Sequence, residues 1–168
     1  VPRAPRPSKA TAQMISLLAA ARANHGKAHG NCFRYVKNYI AIAGGYGDIA
    51  SIYDDPRFSG ISVSAKDFAP WIERIGLAKL GLEKVGGLPH DQLPGTLLIT
   101  AGNAKATARG LRLSEEHGDI AVIGAVTDGA TPCYNDGVMP LSTDATKWDA
   151  GGIYEHIIVG MYRPVDRN

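Results

Sequence analysis

The apolar residues of this 168-residue chain change their period once, and that change constrains the fold more than any single motif does. In three segments before residue 76 they return at spacings of 3 and 4; beyond residue 90 they come in short β-rich runs separated by turn dipeptides. Met14, Ile15, Leu17, Leu18 and Ala21 lie among good helix formers ahead of Gly26, which predicts an amphipathic helix from Ser8 to Asn24. Phe33, Val36, Ile40 and Ala43 predict a second helix that begins at or near Cys32. It should end at Gly44-Gly45, where a left-handed cap costs nothing sterically. A third helix is expected from Asp67 to Ile75, with Asp67 as its N-cap and Pro70 tolerated in the first turn.

Pro94-Gly95 is turn chemistry, and Thr96 to Thr100 reads as a buried strand. Residues 101 to 116 form a polar, basic, glycine-containing loop. Asp119 to Val126 is the strongest strand pattern, followed by the hairpin dipeptide Asp128-Gly129 and a return strand near Thr131 to Asn135. Tyr154 to Tyr162 adds a strand near the C-terminus. Helices followed by strands point to an α+β fold, an antiparallel sheet with helices on one face.

Composition narrows the function classes. With 45% apolar and 20% charged residues, the chain has the balance of one compact domain, taken as residues 9–168. Residues 1–8 alternate proline with arginine, have no apolar core of a signal peptide, and read as a flexible linker or mature N-terminus. No apolar run approaches the ~20 residues a membrane span requires. The 18 Lys+Arg against 16 Asp+Glu are interspersed, so no field favours nucleic-acid phosphates. The two cysteines, Cys32 and Cys133, are too few for a disulfide-stapled scaffold and lack zinc-ribbon spacing.

Cys32 follows Gly30-Asn31 at the start of an expected helix, where unpaired N–H groups and the positive dipole end favour a thiolate. The same N–H groups could receive the oxyanion formed when a carbonyl is attacked. A small buried hydrophobe is the plainer reading of a free cysteine. His117 opens the best strand, which would hold its ring at the rim of the sheet, a workable place for a general base. His25 and His29 precede Cys32 in a turn, His90 lies in a loop and His156 in an apolar strand. These four read as solvated or core histidines.

Three motifs in order carry a resemblance. Gly30-Asn31-Cys32-Phe33-Arg34-Tyr35-Val36, then Pro94-Gly95-Thr96-Leu97-Leu98-Ile99, then His117-Gly118-Asp119-Ile120-Ala121-Val122-Ile123 resemble the signature of the CHAP and NlpC/P60 peptidoglycan amidases and endopeptidases, across about residues 28 to 137. The chain departs from that pattern in three places. Thr96 stands where the family has Asp, Phe33 replaces a small residue, and Gly118 follows the histidine instead of preceding it.

The resemblance implies a papain-like cysteine hydrolase that cleaves amide bonds in peptidoglycan stem peptides. Cys32 is the implied nucleophile and His117 the base. A third polar residue, Asp136 or Asn135 according to strand register, would orient the imidazole; either could equally be a turn residue before Gly137. Asn31, Tyr35 and Tyr134 are candidate substrate contacts, and Trp71 and Trp148 candidate cleft aromatics, although aromatics at such spacing usually belong to the core. Residues 101–116 and 138–152 are expected to shape the groove. No cofactor or metal is implied. A secreted, periplasmic or cell-wall location follows from the resemblance, with an inhibitory immunity protein or the other domains of a larger lysin as further partners.

Two other readings come from the residues. His117, Asp119 and His156 could serve a zinc-dependent cell-wall peptidase. Alternatively, Cys32 and Cys133 could form a disulfide in a non-enzymatic wall-binding module.

Overall fold

The computed structural model describes residues 10–26, 32–44, 64–102, 117–141 and 156–166. Three helices, α1 (Ala12–Asn24), α2 (Cys32–Ala43) and α3 (Phe68–Ile75), accompany six strands. The strands are β1 (Leu82–Val85), β2 (Leu97–Gly102), β3 (Asp119–Ile123), β4 (Pro132–Tyr134), β5 (Val138–Pro140) and β6 (His156–Pro164). They form one antiparallel sheet in the order β1-β6-β2-β3-β4-β5. The architecture is therefore α+β, as the change of period requires. No helix among the described residues is long and apolar enough to cross a membrane.

Alternation along the strands divides the core in two. Leu97, Ile99, Ile120, Val122 and Tyr162 face the helices and pack on Leu17, Ala21, Val36, Ile40, Phe68 and Ile72. Leu98, Ala121, Ile123, Cys133 and Met161 point the other way into a smaller buried cluster closed by Val85 and Leu141. Thr11 ties the first helix to the last strand. Its hydroxyl accepts from the Met14 N–H at 3.2 Å and donates to the Pro164 carbonyl at 2.9 Å. That cap moves the start of α1 from the expected Ser8 to Ala12.

Asp67 does not cap α3. It has helical dihedrals, makes no side-chain cap bond, and closes a 3-10 turn (Ala65–Asp67) that runs straight into the helix. The hairpin dipeptide behaves as read: Asp128 and Gly129 both have positive φ, 51° and 75°, between the bridged Thr127 and Ala130. The strand before it is shorter than its apolar run, ending at Ile123 instead of Val126. Pro132 has no N–H to return, so the Gly124 N–H donates one way to the Pro132 carbonyl, and Val126 is left exposed.

The two edge strands gave no usable sequence signal. β1 has only four residues, without clean alternation, and β5 is three exposed residues ending in proline. Within β1, Glu83 accepts from Arg163 of β6 at 2.6 and 3.0 Å, a cross-strand pair on the register that joins them.

Candidate active site

Packing of α2 on the sheet decides where its first residue goes. Phe33, Val36, Tyr39 and Ile40 bury one face of the helix, and Phe33 meets Phe68 of α3 with ring centroids 5.0 Å apart. Cys32 then lies half-buried against the first residues of β3. Its sulfur lies close enough to the Asp119 carboxylate and the Ile120 N–H to feel both, and that N–H itself donates to Asp119 Oδ1 at 2.9 Å.

The expected thiolate is corrected by this setting. Burial first, then the charge and hydrogen bond of Asp119 and the charge of Asp136, push the Cys32 thiol up to about 12, against the opposing pull of the Ile120 N–H. A helix dipole is worth about 0.3–1 kcal/mol, under one pKa unit, whereas desolvation and adjacent carboxylates each reach a unit or more. Cys32 rests as a protonated thiol.

His117 sits one turn ahead of the strand it was expected to open, which begins at Asp119. Its ring is exposed at the rim. Nδ1 lies 2.7 Å from the Ser64 hydroxyl oxygen, and the His117 carbonyl accepts from the Lys66 N–H at 3.1 Å. Gly118 makes this approach possible. With φ +66° it adopts a left-handed turn, and a Cβ there would run into Lys66 and the Thr100 carbonyl.

Asn135 and Asp136 are both buried at the end of β4 but engage different groups. The Asn135 side-chain amide donates to Asp119 Oδ1 at 3.2 Å, its Oδ1 accepts from the Gly137 N–H at 3.1 Å, and its carbonyl accepts from the Tyr39 hydroxyl. Asp136 lies on the helix side, where its charge acts on both Cys32 and Tyr39. The structure thus gathers Cys32, Asp119, Asn135, Asp136 and Tyr39 around the entry to β3, with His117 two residues upstream of Asp119.

Tyr35 and Tyr134 are half-buried next to this group. Tyr35 packs 6.4 Å from the Tyr39 ring, and Tyr134 packs 5.6 Å from the exposed His25 ring at the end of α1. Trp71 is corrected to a core residue, 5% exposed and stacked on Phe68. His90 lies 3.6 Å from Asp91, far along the chain from the site. Asn31, His29 and Trp148 lie outside the described residues, as do residues 1–8 and most of the two expected groove segments; of the latter, Ala101 and Gly102 extend β2, and 138–140 form β5.

The disulfide reading does not survive. Both cysteines are free thiols, and they pack into the two clusters on opposite faces of the sheet. Among the described residues no three His, Cys, Asp or Glu side chains gather as a metal-binding group. Of the suggested zinc set, Ser64 engages His117, and Asn135 and the Ile120 N–H engage Asp119. His156 enters the sheet on β6, two strands from β3, and its side chain lies outside the described set.

Two participants had no part in the reading of the cysteine site. Asp119 is legible in the His-Gly-Asp motif, but there it reads only as a metal ligand. Ser64 is separated from His117 by 53 residues, and no local pattern marks it. No family model, no curated protein and no solved structure matches this chain, so a functional reading must come from its motifs and this geometry.

Proposed function

We propose that the protein is a cysteine hydrolase of papain-like type that cleaves amide bonds in peptidoglycan stem peptides, with Cys32 as nucleophile and His117 as general base and acid. The observation that carries the reading is the meeting of the α2 N-terminus with the entry to β3: the Cys32 sulfur reaches Asp119 and Ile120, and His117 precedes them by two and three residues. At about 3.3 Å per residue, that leaves the imidazole backbone no more than roughly 10 Å along the chain from the Ile120 N–H. An exposed imidazole and a half-buried thiol at one rim suit a large polymeric substrate.

The mechanism begins from the neutral pair. As the Cys32 sulfur attacks the amide carbonyl, its proton passes to His117, and the oxyanion is received by main-chain N–H groups at the start of α2. His117 then gives that proton to the departing amine, leaving a thioester. Water, deprotonated by the same imidazole, releases the acid and restores the thiol. Burial, with the Asp119 and Asp136 carboxylates, holds the resting sulfur protonated, so the thiolate develops only with proton transfer. Asn135 fixes Asp119, and Tyr39 fixes the backbone of Asn135.

Incubation with purified peptidoglycan, followed by mass spectrometry of the released fragments, tests the reading. The wild type should release stem-peptide fragments whose masses identify the bond cut. Cys32→Ala should release none, and equal release by that variant overturns the assignment.

A further inference from the structure

We propose that Ser64 is the positioning residue of His117: its hydroxyl accepts the Nδ1–H and holds the tautomer whose Nε2 lone pair takes the proton from Cys32. The proposal rests on the reading of Cys32 and His117 as a reacting pair, and it assigns the orienting role to a residue outside the strand that follows the hairpin.

The distance of 2.7 Å is that of a well-formed hydrogen bond, and the two partners differ sharply in exposure. His117 is exposed, so water could satisfy Nδ1 without help from the protein. Ser64 is only 6% exposed. A buried hydroxyl aimed at an exposed ring adds little to solvation and much to orientation.

Ser64 is itself held. Its carbonyl accepts from the Asp67 N–H at 3.1 Å within the 3-10 turn, and the next residues, Ala65 and Phe68, are buried in the core below the helices. The same turn grips the His117 main chain through the Lys66 N–H, and Gly118 lets the two segments close on each other. His117 is thus held at its carbonyl and at its ring by the same turn. A fixed ring converts proton transfer into a step with few orientations left to search. A serine hydroxyl can donate or accept, so the direction proposed here sets the tautomer and can be read directly.

The test uses the full chain labelled with ¹⁵N-histidine. Ring ¹H–¹⁵N correlations are recorded with His117 neutral, and its signals are assigned by their loss in His117→Gln. Wild type should show Nδ1 protonated and Nε2 bare. Ser64→Ala should shift the ring toward the Nε2–H form that free imidazole side chains prefer, and Ser64→Thr should restore the wild-type pattern. In parallel, Ser64→Ala should lower kcat on peptidoglycan by roughly 10-fold or more with KM little changed, and Ser64→Thr should recover most of it.

A wild-type ring protonated at Nε2 overturns the proposal, and that measurement needs no variant to fold. An unchanged tautomer and kcat in a folded Ser64→Ala overturn it as well. A wild type that shows the Nδ1–H form yet hydrolyses no peptidoglycan overturns the enzymatic reading and leaves the hold of Ser64 on His117 supported.

Discussion

Cys32 and Cys133 start from the same ordinary thiol acidity and are both pushed up to about 12, but by different surroundings. Cys133 is buried in the apolar cluster on the face of the sheet away from the helices, where burial is the main cause and Asp119 adds to it. Cys32 is only half-buried. Burial leads there too, but two carboxylates share the work and a main-chain N–H opposes them. Depth alone makes a thiol inert, because neither base nor electrophile can reach it. A half-buried thiol held protonated by partial burial together with neighbouring carboxylates becomes reactive as soon as a base takes its proton.

The largest separation between the two sites should come from their removal. Cys32→Ala is expected to lower peptidoglycan hydrolysis by at least ~1,000-fold, while Cys133→Ala stays within about 3-fold of wild type when assayed well below its unfolding midpoint. Comparable losses in both variants would erase the distinction.

Alkylation by iodoacetamide should then divide the cysteines by reactivity. Cys32 should react in the native protein with a rate that climbs through pH 8 to 10 without a plateau, and Cys133 only after denaturation. Asp119→Asn removes a negative charge beside the sulfur, which favours the thiolate and brings its pKa down. A fall of one unit would raise the Cys32 rate at pH 8 by about 10-fold. Asp136→Asn should act in the same direction but less strongly. Slower alkylation in Asp119→Asn would show that the carboxylate assists ionisation and would reverse this account of the site.

Stability should rank the two sites in the opposite order. Urea unfolding is expected to show Cys133→Ala destabilised by about 1–2 kcal/mol, the cost of a small cavity in a packed cluster, and Cys32→Ala by less than about 1 kcal/mol.

The pH dependence of stability carries the comparison further. Both thiols are raised from 9.0 in the folded state, so above pH 9 the unfolded chain loses protons that the native state keeps. The thiol contribution is therefore complete below pH 9 and declines as pH rises toward about 12. Removing Cys133 should make that decline shallower in urea melts taken at pH 8 to 11.

Much of this molecule could be read from local pattern. The spacing of Phe33, Val36 and Ile40 places α2 with Cys32 as its first residue, and Asp128-Gly129 places the hairpin. Both signals are local, arising from helical periodicity and from the residues that tolerate positive φ. β1 and β5 escaped because short edge strands bury too little to impose alternation. Asp67 misled because the 3-10 turn before α3 supplies the N-terminal bonds that a capping side chain would otherwise make.

By itself the sequence determined the succession of three helices and then the central strands, the Asp128-Gly129 hairpin, and the presence of Cys32 at a helix start with His117 just ahead of a strand. These follow from periodicity and turn chemistry acting over a few residues. Tertiary structure alone decided that Cys32 rests protonated among Asp119 and Asp136, that Cys133 lies across the sheet from it, and that Ser64 meets His117. The acidity of a thiol and the partner of an imidazole depend on which charges and hydroxyls lie within a few ångströms, and those neighbours come from segments tens of residues apart.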